Sequence, residues 1–160
     1  MSYVVIYTDG SCHGNPGPGG YGAVLLTKIN GEEHRLEISD GYRNTTNNQM
    51  ELLGPIRALE RLSFPCDVLF VSDSQYFLKG FMKDTHWVEN WKKRGWKNSG
   101  NAPVKNKELW MKLDELISLQ KSVSFQWVKG HENTELNNRC DELANLAASD
   151  EKSLKDHIDL

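Results

Sequence analysis

An Asn-Gly pair between two strand-like runs constrains the fold of this chain more than any other feature of its sequence. Asn30-Gly31 separates Tyr21–Ile29 from Glu33–Ser39, and a two-residue Asn-Gly connection is the strongest short-range signal for a β-hairpin. A third apolar and β-branched run, Tyr3–Tyr7, comes before this hairpin, across the Gly- and Pro-rich turn Gly14–Gly20. The first half of the chain is therefore predicted to be a meander of three antiparallel strands.

The second half of the chain alternates between helical and strand patterns. Val68–Val71 and Val123–Val128 are short apolar runs typical of buried strands. Apolar residues at helical spacing predict four helical stretches, over Thr45–Leu62, from Ser72-Asp73 to about Met82, over Leu109–Leu119 and over Leu136–Ala148. We predict an α/β fold with a mixed five-stranded sheet, in which three antiparallel strands are followed by parallel ones, flanked by helices.

The length of 160 residues is that of one domain. We place this domain at residues 1–148 and expect the polar residues 149–160 to form a loose C-terminal tail. No apolar run approaches the roughly 20 residues of a membrane span, and the N-terminus has no basic stretch followed by an apolar block. Three widely spaced cysteines without a C-x-x-C pair disfavour a disulfide scaffold and a zinc site. We expect a cytoplasmic protein with no membrane partner and no obligate protein partner, and a monomer by default.

The positive charge of the chain is concentrated in one segment. Trp91–Lys107 holds six cationic residues and no acidic one, whereas the formal net charge of the whole chain is −3. The remainder has 13 cationic against 22 acidic residues, or −9. Trp87, Trp91 and Trp96 are interleaved with these cations, so the aromatic faces could stack on sugars or bases while the cations meet phosphates. The alternative is an amphipathic helix with tryptophans in the core and solvated lysines, but the lack of an offsetting acid favours nucleic acid.

Four carboxylates fall where strand ends and helix starts tend to converge in an α/β sheet. Asp9 closes the first strand, and Glu51 lies in the first turns of the first helix. Asp73 directly follows the fourth strand, and Asp141 lies beside the apolar face of the last helix. Carboxylates brought together repel unless cations neutralise them, and hard oxygen ligands suit Mg²⁺ or Mn²⁺. Two such ions can activate a water and stabilise the leaving oxygen of a phosphodiester.

Each of these carboxylates also has an ordinary structural interpretation. Asp73 could cap a helix, and Glu51 could be a favourable charge near a helix N-terminus. Asp141 could be solvated or pair with Arg139, and Asp9 before a glycine could form a turn. Spacing alone does not assemble the four.

Two further patterns involve a histidine and a glycine-rich turn. His131 follows a predicted strand and could move protons or assist product departure, or it could be a surface loop histidine. Gly17–Gly22 matches G-x-G-x-x-G but contains proline and leads into a strand, so it offers no helix N-terminus to a pyrophosphate.

Seven segments occur together and in order between about Tyr3 and Ala148: Tyr7–Gly22, Thr45–Leu52, Ser72–Tyr76, Asn90–Lys97, Pro103–Asn106, Trp127–His131 and Asn138–Ala144. Together they closely resemble bacterial type 1 ribonuclease H (ribonuclease HI). The resemblance implies a ribonuclease H-like fold and an endoribonuclease that hydrolyses the RNA strand of RNA–DNA hybrids. It implies two Mg²⁺ or Mn²⁺ ions per site with substrate, and products with 5′-phosphate and 3′-hydroxyl ends.

The resemblance also implies roles for individual residues. The catalytic, metal-binding carboxylates would be Asp9, Glu51, Asp73 and Asp141, with His131 as an assisting catalytic residue. The hybrid's minor groove, where 2′-hydroxyls mark the RNA strand, would be lined by Gly10, Ser11, Cys12, Asn15, Asn47, Asn48 and Gln75. A pocket for a phosphate of the DNA strand would use Thr46 and Asn106. A basic protrusion that grips the DNA strand would use Trp87, Trp91, Lys92, Lys93 and Arg94.

Two local departures from the family pattern carry expectations of their own. Some members have an arginine two residues before the phosphate-pocket threonine, whereas here Asn44 is at that position and Arg43 is displaced by one. The loop Glu132-Asn-Thr-Glu135 adds negative charge near the site. We expect the DNA-phosphate contact, the metal affinity and the mobility of the histidine to depend on these differences.

Two other functions are compatible with the same features. One is another nuclease of the same fold group, such as a Holliday-junction nuclease, a transposase or an exonuclease, which the basic tryptophan-bearing segment disfavours. The other is a non-catalytic hybrid-binding module. The complete set of four carboxylates disfavours it, because a binder would gain from losing charges that repel phosphate.

Overall fold

A mixed five-stranded sheet organises the chain in the computed structural model, which describes residues 3–129 and 134–160. In sheet order β3-β2-β1-β4-β5, the first three strands pair antiparallel and the last two pairings are parallel. The strands are β1 (Tyr3–Cys12), β2 (Gly17–Ile29), β3 (Glu32–Thr45), β4 (Asp67–Ser72) and β5 (Ser122–Trp127). This sheet confirms the predicted fold class.

The predicted hairpin joins β2 to β3. Asn30 and Gly31 have φ values of 54° and 81°, and Ile29 pairs with Glu32 across the two-residue turn. Asparagine and glycine are the residues that adopt this left-handed backbone most readily, and the turn's twist matches that of the strands. β3 is longer than predicted, because its pairing with β2 continues to Thr45.

In the part of the chain that the structure describes, five helices flank the sheet. They are α1 (Asn47–Glu60), α2 (Gln75–Lys79), α3 (Trp87–Lys93), α4 (Lys107–Ser118) and α5 (Glu135–Ser149). Gly54 of α1 faces the Tyr21 side chain, whereas Gly22 of β2 faces the backbone of α5. Neighbouring residues of a strand point to opposite faces, so α1 and α5 lie on opposite sides of the sheet. None of the helices in the described ranges has the length and apolarity needed to cross a membrane.

The main core lies between the sheet and α1 with α4. Ile6 and Phe70 of the sheet, Leu52 and Ile56 of α1, and Trp110 of α4 are fully buried there. Each buried side chain of this size contributes about 1.5–3 kcal/mol relative to exposure. This core fixes α1 on β1, and with it the position of the helix that carries Glu51.

Three glycines hold α5 close to the opposite face of the sheet. A Cβ atom at Gly20, Gly22 or Gly41 would collide with the backbone oxygen of Ala144, Cys140 or Ala147, respectively. The backbone of α5 therefore rests almost directly on β2 and β3.

The prediction of a loose tail after residue 148 is wrong. The backbone N–H of Lys155 donates to the oxygen of Gly41 and its own oxygen accepts from the N–H of Arg43, both at 2.9 Å. The Arg43 side chain pairs with Asp156 at 2.7 Å, and Leu154 is 8% exposed. β3 is the outer strand, and its edge leaves backbone groups that this segment satisfies.

Candidate active site

Three of the predicted carboxylates meet at one end of the sheet. β1 and β4 pair in parallel with Thr8 opposite Ser72, so Asp9 and Asp73 lie at the same level. The expectation that Asp9 closes the first strand is wrong, because the pairing of β1 with β2 continues past Asp9 to Cys12, whereas Asp73 directly follows β4. Glu51 approaches them from α1. Asp9 and Glu51 are only 7% and 8% exposed, and one carboxylate oxygen from each of the three residues lies within 4.8 Å of the other two.

The close approach of α1 to β1 depends on a glycine. A Cβ atom at Gly10 would lie 2.8 Å from the backbone nitrogen of Glu51 and 2.9 Å from the carbonyl carbon of Met50. The helix begins just before this contact, where the Thr46 hydroxyl caps it by accepting the N–H of Gln49 at 3.2 Å. Gly10 thus lets the first turns of α1 lie against β1, which brings Glu51 to Asp9.

Asp141 joins the cluster from α5 and from a different side. Its carboxyl group lies within hydrogen-bonding reach of that of Asp9, while its side chain is exposed. The side-chain amide of Asn145, one helical turn later, donates to Asp141 Oδ1 at 3.2 Å and to its backbone oxygen at 3.0 Å. The sequence analysis did not single out Asn145, for which the i, i+4 spacing from Asp141 was the available signal.

The structure also tests two of the ordinary interpretations. The N-cap of α2 is Ser74, whose hydroxyl accepts the N–H of Phe77 at 3.2 Å, so Asp73 is not the capping residue. Arg139 donates two hydrogen bonds of 2.9 Å to Glu37 of β3. The arginine near Asp141 in sequence is thereby engaged with another carboxylate.

Burial and mutual repulsion raise the pKa values of the buried carboxyl groups. Burial is the larger cause for Asp9, and the charges of Asp73 and Asp141 add to it, so its pKa rises to about 8 despite the Gly10 N–H at 2.9 Å. The pKa of Glu51 is raised well above its usual value by burial and then by Asp9 and Asp73, against hydrogen bonds from Ser74 and Asn47. Without a cation, the cluster holds protons near neutral pH.

These residues fit a hard divalent cation. The donors are all carboxylate oxygens, which Mg²⁺ and Mn²⁺ prefer. Glu51 Oε2 is buried and has no hydrogen-bond partner among residues 3–129 and 134–160. A buried, unpartnered carboxylate oxygen costs free energy unless a cation or a proton satisfies it.

The residues expected to line a minor groove surround this cluster. Gly10, Ser11 and Cys12 form the end of β1, Asn15 lies in the following connection, Asn47 and Asn48 begin α1, and Gln75 begins α2. Asn15 Oδ1 accepts the backbone N–H of Asn47 at 3.0 Å, which ties the glycine-rich connection to the start of α1. Asn15, Asn47 and Gln75 are exposed and present amide groups next to the carboxylates.

The two residues expected to bind a DNA phosphate are linked by a third that the sequence analysis missed. Gln49 donates its backbone N–H to the hydroxyl of Thr46 and its side-chain amide to Asn106 Oδ1 at 3.4 Å. Asn106 in turn donates to the hydroxyl of Tyr76 at 3.1 Å. No local pattern could have found this link, because Gln49 and Asn106 are 57 residues apart.

The tryptophans of the basic segment pack on one another and on α4. The ring centroids of Trp91 and Trp110 are 5.2 Å apart, those of Trp87 and Trp91 are 5.9 Å apart, and Trp87 and Trp91 are half-buried. The tryptophans therefore pack against the protein, as the amphipathic-helix interpretation of this segment predicts.

The expectation that no acid offsets the charge of this segment is wrong for Lys92. Its ammonium lies 3.3 Å from Asp114 of α4 and 3.5 Å from Glu89. Asp114 is 22 residues away, so a charge count along the segment could not include it. Lys93 and Arg94 are exposed. His131 and Glu132 lie outside the described residues.

Comparisons of sequence place this chain among known proteins. A family model described as RNase H matches residues 1–149. Ribonuclease H of Shewanella amazonensis is 52% identical over 148 residues, covering 92% of this chain and 90% of that protein. Ribonuclease H of Psychromonas ingrahamii is 49% identical over 156 residues, covering 98% and 97%.

Solved structures show the same likeness. LC9-RNase H1, described as a type 1 RNase H with the type 2 active-site motif, superposes with a TM-score of 0.81 at 32% identity, over 92% of this chain and 72% of that one. LC11-RNase H1, solved in complex with an RNA/DNA hybrid, gives a TM-score of 0.65 at 28% identity, over 94% and 99%.

Proposed function

The chain belongs to the ribonuclease H family, and on this premise we propose that it hydrolyses the RNA strand of RNA–DNA hybrids with two divalent ions, leaving 5′-phosphate and 3′-hydroxyl ends. Membership makes it a metal-dependent endoribonuclease. The observation that carries the proposal is the meeting of Asp9, Glu51 and Asp73, with Asp141 beside Asp9.

The four carboxylates are the proposed metal ligands, with Mg²⁺ or Mn²⁺ as the ions. Divalent ions bound there supply Lewis acidity that activates a water and stabilises the leaving oxygen of the phosphodiester. Asp9 lies in the buried trio and also beside Asp141, so it would be the carboxylate within reach of an ion held by either group. Glu51 is buried, and an ion held there would satisfy its unpartnered Oε2.

Recognition of the RNA strand is assigned to the polar groups around the cluster. We propose that Gly10, Ser11, Cys12, Asn15, Asn47, Asn48 and Gln75 contact the minor groove, where 2′-hydroxyls distinguish RNA from DNA. The hydrogen bond from the backbone N–H of Asn47 to Asn15 Oδ1 fixes the Asn15 side chain beside the start of α1. The hybrid complex of LC11-RNase H1 supports this class of substrate.

Recognition of the DNA strand is assigned to two surfaces. Thr46 and Asn106, joined through Gln49, would bind one phosphate. Lys93 and Arg94 would meet further phosphates, on a protrusion that Trp87 and Trp91 anchor. Lys92 contributes less, because Asp114 already offsets its charge. His131 is proposed to assist proton transfer or product departure.

Cleavage of labelled duplexes tests the proposal. We expect cleavage of the RNA strand of a hybrid with Mg²⁺ or Mn²⁺, and none of duplex DNA, branched DNA or duplex RNA. End-labelling should show 5′-phosphate and 3′-hydroxyl products. Strong cleavage in excess chelator would overturn the proposal, and hybrid binding without cleavage in Mn²⁺ would favour the binding module. A monomeric state and a cytoplasmic location stay predictions, for sedimentation velocity and cell fractionation to test.

A further inference from the structure

We propose that Asn145 is a positioning residue, which holds the Asp141 carboxylate beside Asp9 through a hydrogen-bonded bridge from α5 to β1. The bridge consists of Ser11 on β1, the Asn145 amide and Asp141 on α5. The inference rests on the proposed function in one respect, namely that Asp141 serves as a metal ligand. It adds a residue that none of the seven family-like segments contains.

Both ends of the Asn145 amide are engaged, and this settles its orientation. Asn145 Oδ1 accepts the hydroxyl hydrogen of Ser11 at 2.6 Å and lies 3.4 Å from Nε2 of His13. Its Nδ2 donates to Asp141 Oδ1 at 3.2 Å and to the backbone oxygen of Asp141 at 3.0 Å. A carboxylate accepts only, so the –NH₂ end must face Asp141 and the oxygen must face the hydroxyl.

Asp141 needs such a partner more than the other carboxylates do. Asp9 and Glu51 are buried, so packing restricts their side chains, whereas Asp141 is exposed on a helix surface. An exposed side chain has room for rotamers that turn its carboxylate away from the cluster. The Asn145 amide donates to Asp141 Oδ1 at 3.2 Å and opposes that displacement.

The bridge also connects the two elements whose relative position matters. Ser11 is two residues after Asp9 on β1, and Asn145 is one turn after Asp141 on α5. One amide thus joins the strand that carries one ligand to the helix that carries another. Loss of the hydrogen-bond partner of a metal ligand commonly lowers metal affinity by about 10–100-fold. We expect the lower part of this range, because Asp141 is exposed.

The first test is a titration of the substrate-free protein with Mg²⁺. The carboxyl-carbon NMR shifts of its aspartates report the binding. Asn145→Leu keeps the side-chain size and removes both halves of the bridge. Its Mg²⁺ midpoint should rise about tenfold, and kcat at saturating Mg²⁺ should stay within about twofold of the parent. Asn145→Ala is the second variant if the leucine disturbs folding, since alanine favours helix. Leu146→Ala, a change at a 60% exposed neighbour on the same helix, should leave the midpoint unchanged.

A double-mutant cycle separates positioning from a general structural role. If Asn145 acts through Asp141, then Asn145→Leu should not change the Mg²⁺ midpoint in an Asp141→Asn background. An equal shift in both backgrounds, or no shift in the parent, would overturn the proposal. The binding measurement needs no nucleic acid, so a parent protein that fails to cleave hybrids would contradict the proposed function and leave this result readable.

Discussion

The carboxylate cluster and the tryptophan packing that anchors α3 (Trp87, Trp91 and Trp110) are held together by opposite physical effects. Asp9, Glu51 and Asp73 come from two strands and a helix, and they are held together by the packing of those elements although their charges repel. Trp91 and Trp110 attract, and their contact directly secures a short helix against α4. The carboxylate cluster therefore lowers the stability of the fold and supplies chemistry, whereas the tryptophan packing raises stability and supports the charged residues of α3.

The largest expected effect is on the chemistry of the cluster. Asp9→Asn removes the carboxylate common to the trio and to Asp141, so cleavage of a labelled hybrid should fall by about 10⁴-fold. Circular dichroism near neutral pH should show a folded protein about as stable as the metal-free parent, because the pKa of Asp9 is raised to about 8 and its carboxyl group is already largely protonated there. A variant that unfolds would show instead that the carboxylate is structural.

The next largest effect is on the stability that the tryptophan packing supplies. Trp91→Ala should lower the free energy of unfolding by about 2–3 kcal/mol, since a half-buried indole loses its contacts with Trp87 and Trp110. Urea denaturation measures the loss, and Trp91→Phe is the matched control that should keep more than half of the stability. Metal-dependent cleavage of a short hybrid should persist in the folded fraction, because the cluster is not changed.

The pH dependence of stability sharpens the contrast. The pKa of Asp9 is about 8 in the folded protein and near 3.8 in the unfolded chain, so the folded state binds more protons between these values. The metal-free protein should therefore lose stability as pH rises from about 4 to about 8, by on the order of 1–3 kcal/mol from this cluster. Urea denaturation in chelator at pH 5 and pH 9 measures it. Asp9→Asn should reduce the slope, as should added Mg²⁺, and an equal slope in that variant would contradict the assignment.

The smallest effect distinguishes two adjacent lysines of the basic segment. Lys93→Ala should weaken hybrid binding a few-fold and reduce the slope of log affinity against log salt by about 0.7–0.9. Lys92→Ala should do less, because Asp114 and Glu89 already offset its charge. Fluorescence anisotropy at several salt concentrations, in Ca²⁺ or chelator to prevent cleavage, compares the two. A larger effect of Lys92 would show that its ion pairs open when nucleic acid binds.

Local sequence patterns predicted much of the fold. Asn30-Gly31 marked the hairpin because backbone geometry requires those residue types there, and helical periodicity located α1, α4 and α5 to within a few residues. The partnership of Lys155 with the edge of β3 was not predictable, because backbone hydrogen bonds leave no mark in a polar stretch.

The candidate site was predictable only as a set of separate candidates. The local pattern placed Asp73 correctly after β4 and Asp9 three residues too near the end of β1, and the resemblance to a family was needed to group them with Asp141. Gln49 was missed because its partner Asn106 is 57 residues away. Asn145 was missed because its i, i+4 spacing from Asp141 does not reveal the bond to Ser11, 134 residues away. Pairwise contacts of this kind depend on three-dimensional register, which a single sequence does not encode in any local pattern.

Gly22 shows what the close seating of α5 means for the chemistry. It is the cross-strand neighbour of Asp9, and the oxygen of Cys140 rests on it immediately before Asp141. Gly22 thus sets the distance between the Asp9 and Asp141 carboxylates, although it has no side chain and no unusual backbone angle. Even one methyl group there would push the helix away from the sheet, so the residue type at this position is dictated by the spacing of ligands on two other elements.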